Sequence, residues 1–300
     1  MGYNYYNRYD SFESYLLMII WITSYPKSGN TWIRSFLTSL LYSDDGKNDF
    51  SNLDKIKQFP DRSLFKNFIH DFQNVEEVYK NWLNVQNYIN LDNQIKFLKT
   101  HHVNCTIKNY KFYDDANSLG TIHIVRDPRN VLTSIKNHFS LKDFDEAKEF
   151  ILKEKNWVGF TANKNDIITD NKIPTLISSW KINYLSWKKI TKNYLLVKYE
   201  DLIKDSHKEF FKISNYLEKI MNTKFDENKI LNAIKTSSFS NMQDLEKKDL
   251  FKENVTGDNN NKIKFFNLGP KNDWKLCLKN EIVEEINFKF KNEMKELGYL

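Results

Sequence analysis

Between Pro26 and Thr31 the chain reads Pro-Lys-Ser-Gly-Asn-Thr, a row suited to holding an oxyanion. Lys27 brings a full positive charge, Ser28 and Thr31 bring hydroxyl donors, and Gly29 lets the backbone come close. The row lies between the apolar run Met18–Thr23 and a stretch whose Ile33, Phe36, Leu37, Leu40 and Leu41 fall on one stripe at helical spacing. A strand that feeds a helix through such a turn aims backbone N–H groups and the positive helix end at one spot. Phosphate or sulfate is the ligand this chemistry expects. A Walker A loop needs Lys directly before Ser/Thr and after a Gly, whereas here Lys27 precedes Ser28-Gly29 and no earlier Gly opens the turn. ATP or GTP hydrolysis is the weaker reading, and an ordinary capped turn is the bland one.

Three further residues can do chemistry beside an anion. His101 follows the apolar run Ile95–Leu98, and an unperturbed imidazole, with a pKa of about 6.5, accepts a proton at neutral pH. A hydroxyl nucleophile needs such a base, although a lone His is more often packed or solvated. His102, next along an extended chain, points to the opposite side and receives no role. Arg126 follows Thr121–Val125, and its fork can donate two parallel hydrogen bonds to a phosphate or pair with a surface carboxylate. Tyr199 follows Tyr194–Lys198, where an aromatic side chain usually only packs.

The elements that must position these residues are the four apolar runs themselves. Each ends at a polar cluster and leads towards a helical pattern, the signature of an α/β fold with a mostly parallel sheet flanked by helices. Asp127 is read as an N-cap and Pro128 as the first residue of a helix carrying Val131, Leu132, Ile135 and Phe139. Tyr199–Leu202 leads into a helix near His207–Leu217, and Asn280–Leu297 reads as a closing helix. No linker divides the chain, so one domain over 18–300 is expected, with 1–17 a polar extension outside the core. The stretch Lys247–Phe265 is expected to be a long mobile loop.

The 300 residues are 40% hydrophobic and 15% aromatic, enough for a real core. The net charge of +6 is scattered among Lys, Asp and Glu, which suits a small polyanionic ligand and lacks the clustered basic face of a nucleic-acid binder. Cys105 and Cys277, far apart and without metal-ligand spacing, argue against a disulfide framework and a zinc site. A reducing, cytoplasmic setting and no bound metal follow as expectations. The apolar run Tyr15–Ile22 is less than half the roughly 20 residues of a membrane span.

The string Ser24–Trp32 resembles the 5'-phosphosulfate loop, close to YPKSGTTW, of cytosolic-type sulfotransferases that use 3'-phosphoadenosine 5'-phosphosulfate (PAPS). Asn30 departs from it by replacing a Thr. Other segments match in the family's order. Lys99-Thr100-His101 stands where the family places its catalytic base, Arg126–Ser134 matches its 3'-phosphate segment, and Tyr199-Glu200-Asp201 its YED segment. Ser238-Phe239 with Met242 matches Ser-Phe-x-x-Met, and Phe266–Lys275 matches F-R-K-G-x-x-G-D-W-K with Asn267 and Leu268 in place of the Arg-Lys clamp and Asn272 in place of a Gly.

The resemblance implies a P-loop-kinase-like phosphate loop in which Lys27, Ser28, Gly29, Asn30 and Thr31 hold the 5'-phosphosulfate. It implies that Trp32 stacks on the adenine, that Tyr199 and Phe239 line the adenine site with Ser238 beside them, and that Arg126 and Ser134 bind the 3'-phosphate. Lys271 and the Gly269 amide are expected to substitute in part for the absent clamp. His101 would be the base, with Lys27 and Lys99 neutralising developing charge, and 3'-phosphoadenosine 5'-phosphate (PAP) the product. The acceptor is left open among small molecules, lipids and glycans, with 48–93, 139–174 and 247–265 shaping its pocket; a homodimer is equally open. Two rivals stand beside this reading: a nucleotide-dependent phosphotransferase on the same anion site, and a non-catalytic protein that binds RNA or another polyanion through Lys and aromatic side chains.

Overall fold

The computed structural model describes residues 18–160, 173–248, 255–256, 262–263, 265–266 and 268–300. The expected extension 1–17 and much of the expected 247–265 loop lie outside them. The main sheet has five strands: β1 (Ile19–Ser24), β2 (Lys57–Gln58), β3 (Lys96–Thr100), β4 (Ser118–Val125) and β5 (Tyr194–Lys198), in the order β2-β3-β1-β4-β5. Every pairing in it is parallel. Chain order departs from spatial order on either side of β1, so the carboxyl ends of β1, β3 and β4 face a crevice of the kind where open α/β sheets bind ligands.

Both faces of the sheet are covered, which explains why the strands read as apolar runs rather than as alternating patterns. On one face Ile20, Ile22, Phe97, Ile122, Ile124 and Val197 pack against α1 (Asn30–Tyr42) through Ile33, Phe36, Leu37 and Leu40. Phe210 of α5 (Ser206–Met221) completes this layer, its ring stacked 4.2 Å from Phe36. On the other face Ile19, Trp21 and Leu98 meet Phe59, Trp82 and Trp187, the last from α3 (Trp180–Lys188). A third cluster joins Val125 and α2 (Pro128–His138) to α3 and the C-terminal helices. Each fully buried Ile, Leu or Phe contributes about 1.5–3 kcal/mol, so the loop between β1 and α1 hangs from a strand and helix that are both anchored in the core.

Four of the five strands lie where the apolar runs place them; β2, two residues at the sheet edge, carries no such run. Asp127 caps α2 by accepting from the Arg129 N–H, with Pro128 at the first helical position. The segment after β5 is itself helical, α4 (Tyr199–Lys204), before α5 begins. The expected closing helix is two helices, α7 (Asn280–Lys289) and α8 (Lys291–Leu297), divided at Phe290, whose backbone leaves the helical region. Phe290 is buried in the third cluster, and its packing outweighs an uninterrupted helix. No helix of the described residues is long and apolar enough to cross a membrane.

Candidate active site

The loop between β1 and α1 reverses through two residues with positive φ, Lys27 at 64° and Gly29 at 106°. Gly29 is the N-cap of α1, and its carbonyl accepts from the N–H groups of Trp32 and Ile33. No other residue fits there, because a Cβ on Gly29 would lie 2.7 Å from Tyr199 Cδ2. Ser28 is fully buried and its hydroxyl has no protein partner among the described residues. An orphaned donor at a helix N-terminus is what an anion would satisfy.

Arg126, at the end of β4, closes one side of the loop. Its Nη1 donates to the Lys27 carbonyl at 2.9 Å and its guanidinium lies 4.2 Å from the centre of the Tyr199 ring. Burial draws its pKa below the usual arginine value, against the opposing pull of Tyr199, Glu200 and Asp127. Its Nε is buried without a protein partner among the described residues. Glu200 accepts from the Asp127 N–H at 2.9 Å and from the Tyr299 hydroxyl at 2.9 Å, and burial raises its pKa. Arg126 is thus a buried cation with unspent hydrogen-bonding capacity, and a dianionic ligand is its natural complement.

His101 stands at the carboxyl end of β3, half-buried, across from the end of β1. Its Nδ1 is 2.8 Å from the Ser24 carbonyl oxygen and 3.2 Å from Ser24 Oγ. A carbonyl can only accept, so Nδ1 carries the hydrogen and Nε2 keeps the basic lone pair. Asn183 of α3 donates to the His101 carbonyl at 2.9 Å and holds the backbone. Lys99, half-buried, sits two residues earlier and pairs in register with Ile22. His102 turns to the opposite side: its ring stacks 4.3 Å from Phe112, and burial lowers its pKa to about 4.

Helix α2 is braced from the C-terminal part of the chain. Asn130 and Thr133 of α2 bond to Asn272, and the Trp274 N–H donates to Asn130 Oδ1. Arg129, which no spacing argument singles out, is buried, forks onto Asp127, donates to the Tyr299 carbonyl and lies 4.1 Å from the Trp274 ring. These ties set Gly269 and Lys271 near α2. Gly269 (φ 50°) has room for no Cβ, which would fall 2.1 Å from Phe239 Cζ, the ring at the start of α6 (Phe239–Lys247). Ser134 is half-buried one residue beyond the Thr133–Asn272 bond, Ser238 precedes α6 with its Oγ 3.3 Å from Ser240 Oγ, and Lys271 is exposed. Asn267 lies outside the described residues.

Three residues assigned to the donor by motif also make contacts within the fold. Trp32 and Tyr199, both buried, meet edge to face at 5.8 Å, and Trp32 also packs on Phe210. The Tyr199 ring lies against Gly29 of the loop. The Asn30 carboxamide turns inward to the Ile22 carbonyl and Ser24 Oγ, both at 3.2 Å, so only its backbone N–H is left to serve an anion. Phe265 is an unexpected neighbour, with Lys27 Nζ 3.6 Å from its ring centre. A buried Ser, Asn or Arg inside an α/β core looks in sequence like any other polar residue, and Ser24, Asn183 and Arg129 gave no periodic signal.

The family model for the sulfotransferase domain matches residues 19–298. The luciferin sulfotransferase of Photinus pyralis is 26% identical over 231 residues, 74% of this chain but only 56% of that protein, so the chain spans little more than half of that relative's length. An amine sulfotransferase of Oryctolagus cuniculus is 24% identical over 281 residues, 92% of this chain and 81% of the relative. Among solved structures, a mouse sulfotransferase complexed with PAP superposes with a TM-score of 0.55 at 18% identity, covering 95% of this chain and 89% of the other. A retinol dehydratase in complex with retinol and PAP gives 0.55 at 16% identity, covering 92% and 81%. A family match that runs from the first sheet strand into the last helix leaves one conclusion: the chain belongs to the sulfotransferase family.

Proposed function

We propose that this chain moves a sulfuryl group from PAPS to a hydroxyl or amine of an acceptor, releases PAP, and uses His101 as the general base. The observation that carries the reading is the His101–Ser24 contact, which leaves the basic Nε2 on a ring held beside the anion loop. The donor fits the residues present: Ser28 Oγ and Arg126 Nε are buried polar atoms without a protein partner among the described residues, one on the 5' loop and one beside the 3' segment. Ser28, Thr31 and the backbone amides of Gly29 and Asn30 would hold the 5' end. Arg126 and Ser134 would hold the 3'-phosphate, and Lys271 with the Gly269 amide would make up part of the absent basic clamp.

PAPS would supply the transferable sulfuryl group. Everything else falls to the chain: Lys27 and Lys99 stabilise negative charge on the departing side, and His101 Nε2 takes the acceptor's proton. By analogy with phosphoryl transfer, alignment of the two oxygens and charge stabilisation do most of the work. The names of the relatives, a luciferin and an amine sulfotransferase, and the retinol held by a structural neighbour support a small organic acceptor. Of the segments expected to shape its pocket, we assign the described parts 48–93, 139–160 and 173–174 to it. Two cysteines without a disulfide suit a cytoplasmic setting.

The reading is tested by incubating the full chain with radiosulfur-labelled PAPS and a panel of phenols, sterols, amines and sugars. Label is expected to pass to at least one small hydroxyl or amine acceptor. Magnesium-dependent turnover of ATP or GTP, with no transfer of label to any acceptor, would replace this reading with the nucleotide-dependent one.

A further inference from the structure

Ser24 and Asn30 belong to a bonded chain that no motif assigns. Asn30 stands in the loop where the sulfotransferase pattern has a Thr. A threonine hydroxyl has one hydrogen to donate, whereas a carboxamide has two. Asn30 directs Nδ2 at two acceptors, the Ile22 carbonyl and Ser24 Oγ, each at 3.2 Å. The Ile22 carbonyl can only accept, which fixes the orientation of the amide. Asn30 is buried and Ser24 is fully so, and the bonds join the first residue of α1 to the last turn of β1 from inside the fold.

The chain continues into the proposed base. Ser24 offers two acceptors to one imidazole nitrogen: its carbonyl oxygen 2.8 Å from His101 Nδ1 and its hydroxyl oxygen at 3.2 Å. With Nδ1 protonated to meet the carbonyl, Oγ takes the second share of that hydrogen through one lone pair, while its other lone pair receives Asn30. The carbonyl selects the tautomer, and the hydroxyl adds a second hold on the same nitrogen. The backbone of His101 is pinned independently, its carbonyl receiving Asn183 Nδ2, which also donates to the Ile177 carbonyl at 3.0 Å. The strand end, the first residue of the phosphate-loop helix and the ring are therefore one hydrogen-bonded unit.

We infer that Ser24 and Asn30 are positioning residues, the Ser24 carbonyl setting the tautomer of His101 and the two side chains holding the orientation of its ring, and that the Asn30 side chain serves the base rather than the donor. A partner that fixes an imidazole in this way is commonly worth one to two orders of magnitude in the function of that imidazole, about 10–100-fold. The inference rests on the proposed role of His101 only for its effect on turnover. The tautomer can be read without any activity.

The test uses the full chain labelled with 15N-histidine, with His101 assigned by the signal lost in His101→Gln. Long-range proton–nitrogen spectra should show wild-type His101 as one tautomer with the hydrogen on Nδ1. Ser24→Ala, close to isosteric in a buried site, keeps the carbonyl and so the tautomer; it is expected to shift the His101 Nδ1 resonance, speed the exchange of its hydrogen with solvent and lower kcat by about tenfold, with PAP affinity within about twofold of wild type. Ser24→Thr keeps the hydroxyl and should restore the resonance and kcat, and Asn30→Ala should shift the resonance in the same direction as Ser24→Ala. An unchanged His101 Nδ1 resonance and hydrogen exchange in Ser24→Ala overturns the inference. So does a loss of PAP affinity in Asn30→Ala as large as its loss of kcat, which would return that side chain to the donor. A shifted resonance combined with normal turnover in His101→Gln would keep the positioning pair and remove His101 as the base.

Discussion

His101→Ala is expected to lower kcat by about 10²–10⁴-fold, the usual worth of a positioned general base. PAP affinity should stay within about twofold, because the ring bonds to Ser24 and the assigned role of His101 is to the acceptor, not to the donor. His102 cannot take over. Its ring is fully buried against Phe112 and Trp82, its Nδ1 lies against the Val103 carbonyl, and burial holds it neutral on the far side of the strand. The check is steady-state turnover with any accepted substrate alongside a PAP titration of the same protein. Turnover at the wild-type rate would dismiss the base; an equal collapse of PAP binding would make His101 a structural residue.

The second large effect is expected at Arg126. Arg126→Lys keeps a positive charge but loses the fork, the bond to the Lys27 carbonyl and the planar contact with Tyr199. Removing one partner of a buried, charge-assisted contact costs about 2–5 kcal/mol, so PAP affinity should fall by about 100-fold. Arg126 also braces the loop, and a loss of affinity alone would not say which role matters. The ratio does. Calorimetric titration with PAP and with adenosine 5'-phosphosulfate, which lacks the 3'-phosphate, should show a loss for PAP at least about tenfold larger. Equal losses would make Arg126 a loop buttress and would move the 3'-phosphate elsewhere.

What could be read in advance follows the strength of the local signal. A parallel sheet covered on both faces writes itself as short runs of Ile, Leu and Val, so β1, β3, β4 and β5 are visible, whereas β2 has two residues and no run. Asp127-Pro128 is visible because cap and first-turn preferences are local. The division at Phe290 is invisible because it comes from the packing of one ring against residues distant in sequence.

At the site, Lys27, Ser28, Gly29, His101 and Arg126 are drawn together as their types suggest, since each follows a strand end of one sheet. The aromatic residues are less legible. A tryptophan at a helix start serves equally to stack on a base or to fill a core, and the edge-to-face contact of Trp32 with Tyr199 beside Gly29 depends on the finished fold rather than on spacing. Two of the four departures from the motifs acquire ties of their own. Asn30 gains an inward tie to Ile22 and Ser24, and Asn272 gains a brace to Asn130 and Thr133. Neither tie is a matter of spacing; both depend on which acceptors the finished fold leaves within reach.

That the crevice is built for a nucleotide phosphorylated at both ends is tested most directly by the unfolding temperature of the full chain in the presence of PAP, AMP or ATP at equal concentration, without magnesium. A ligand at about 100 times its Kd stabilises the folded state by about 2.7 kcal/mol, which shifts a melting curve by several degrees. PAP is predicted to raise the midpoint well above AMP and ATP, because it alone offers a 3'-phosphate to Arg126 while its 5'-phosphate meets Ser28 and the amides of the loop. A rise with ATP equal to or greater than that with PAP would contradict the account.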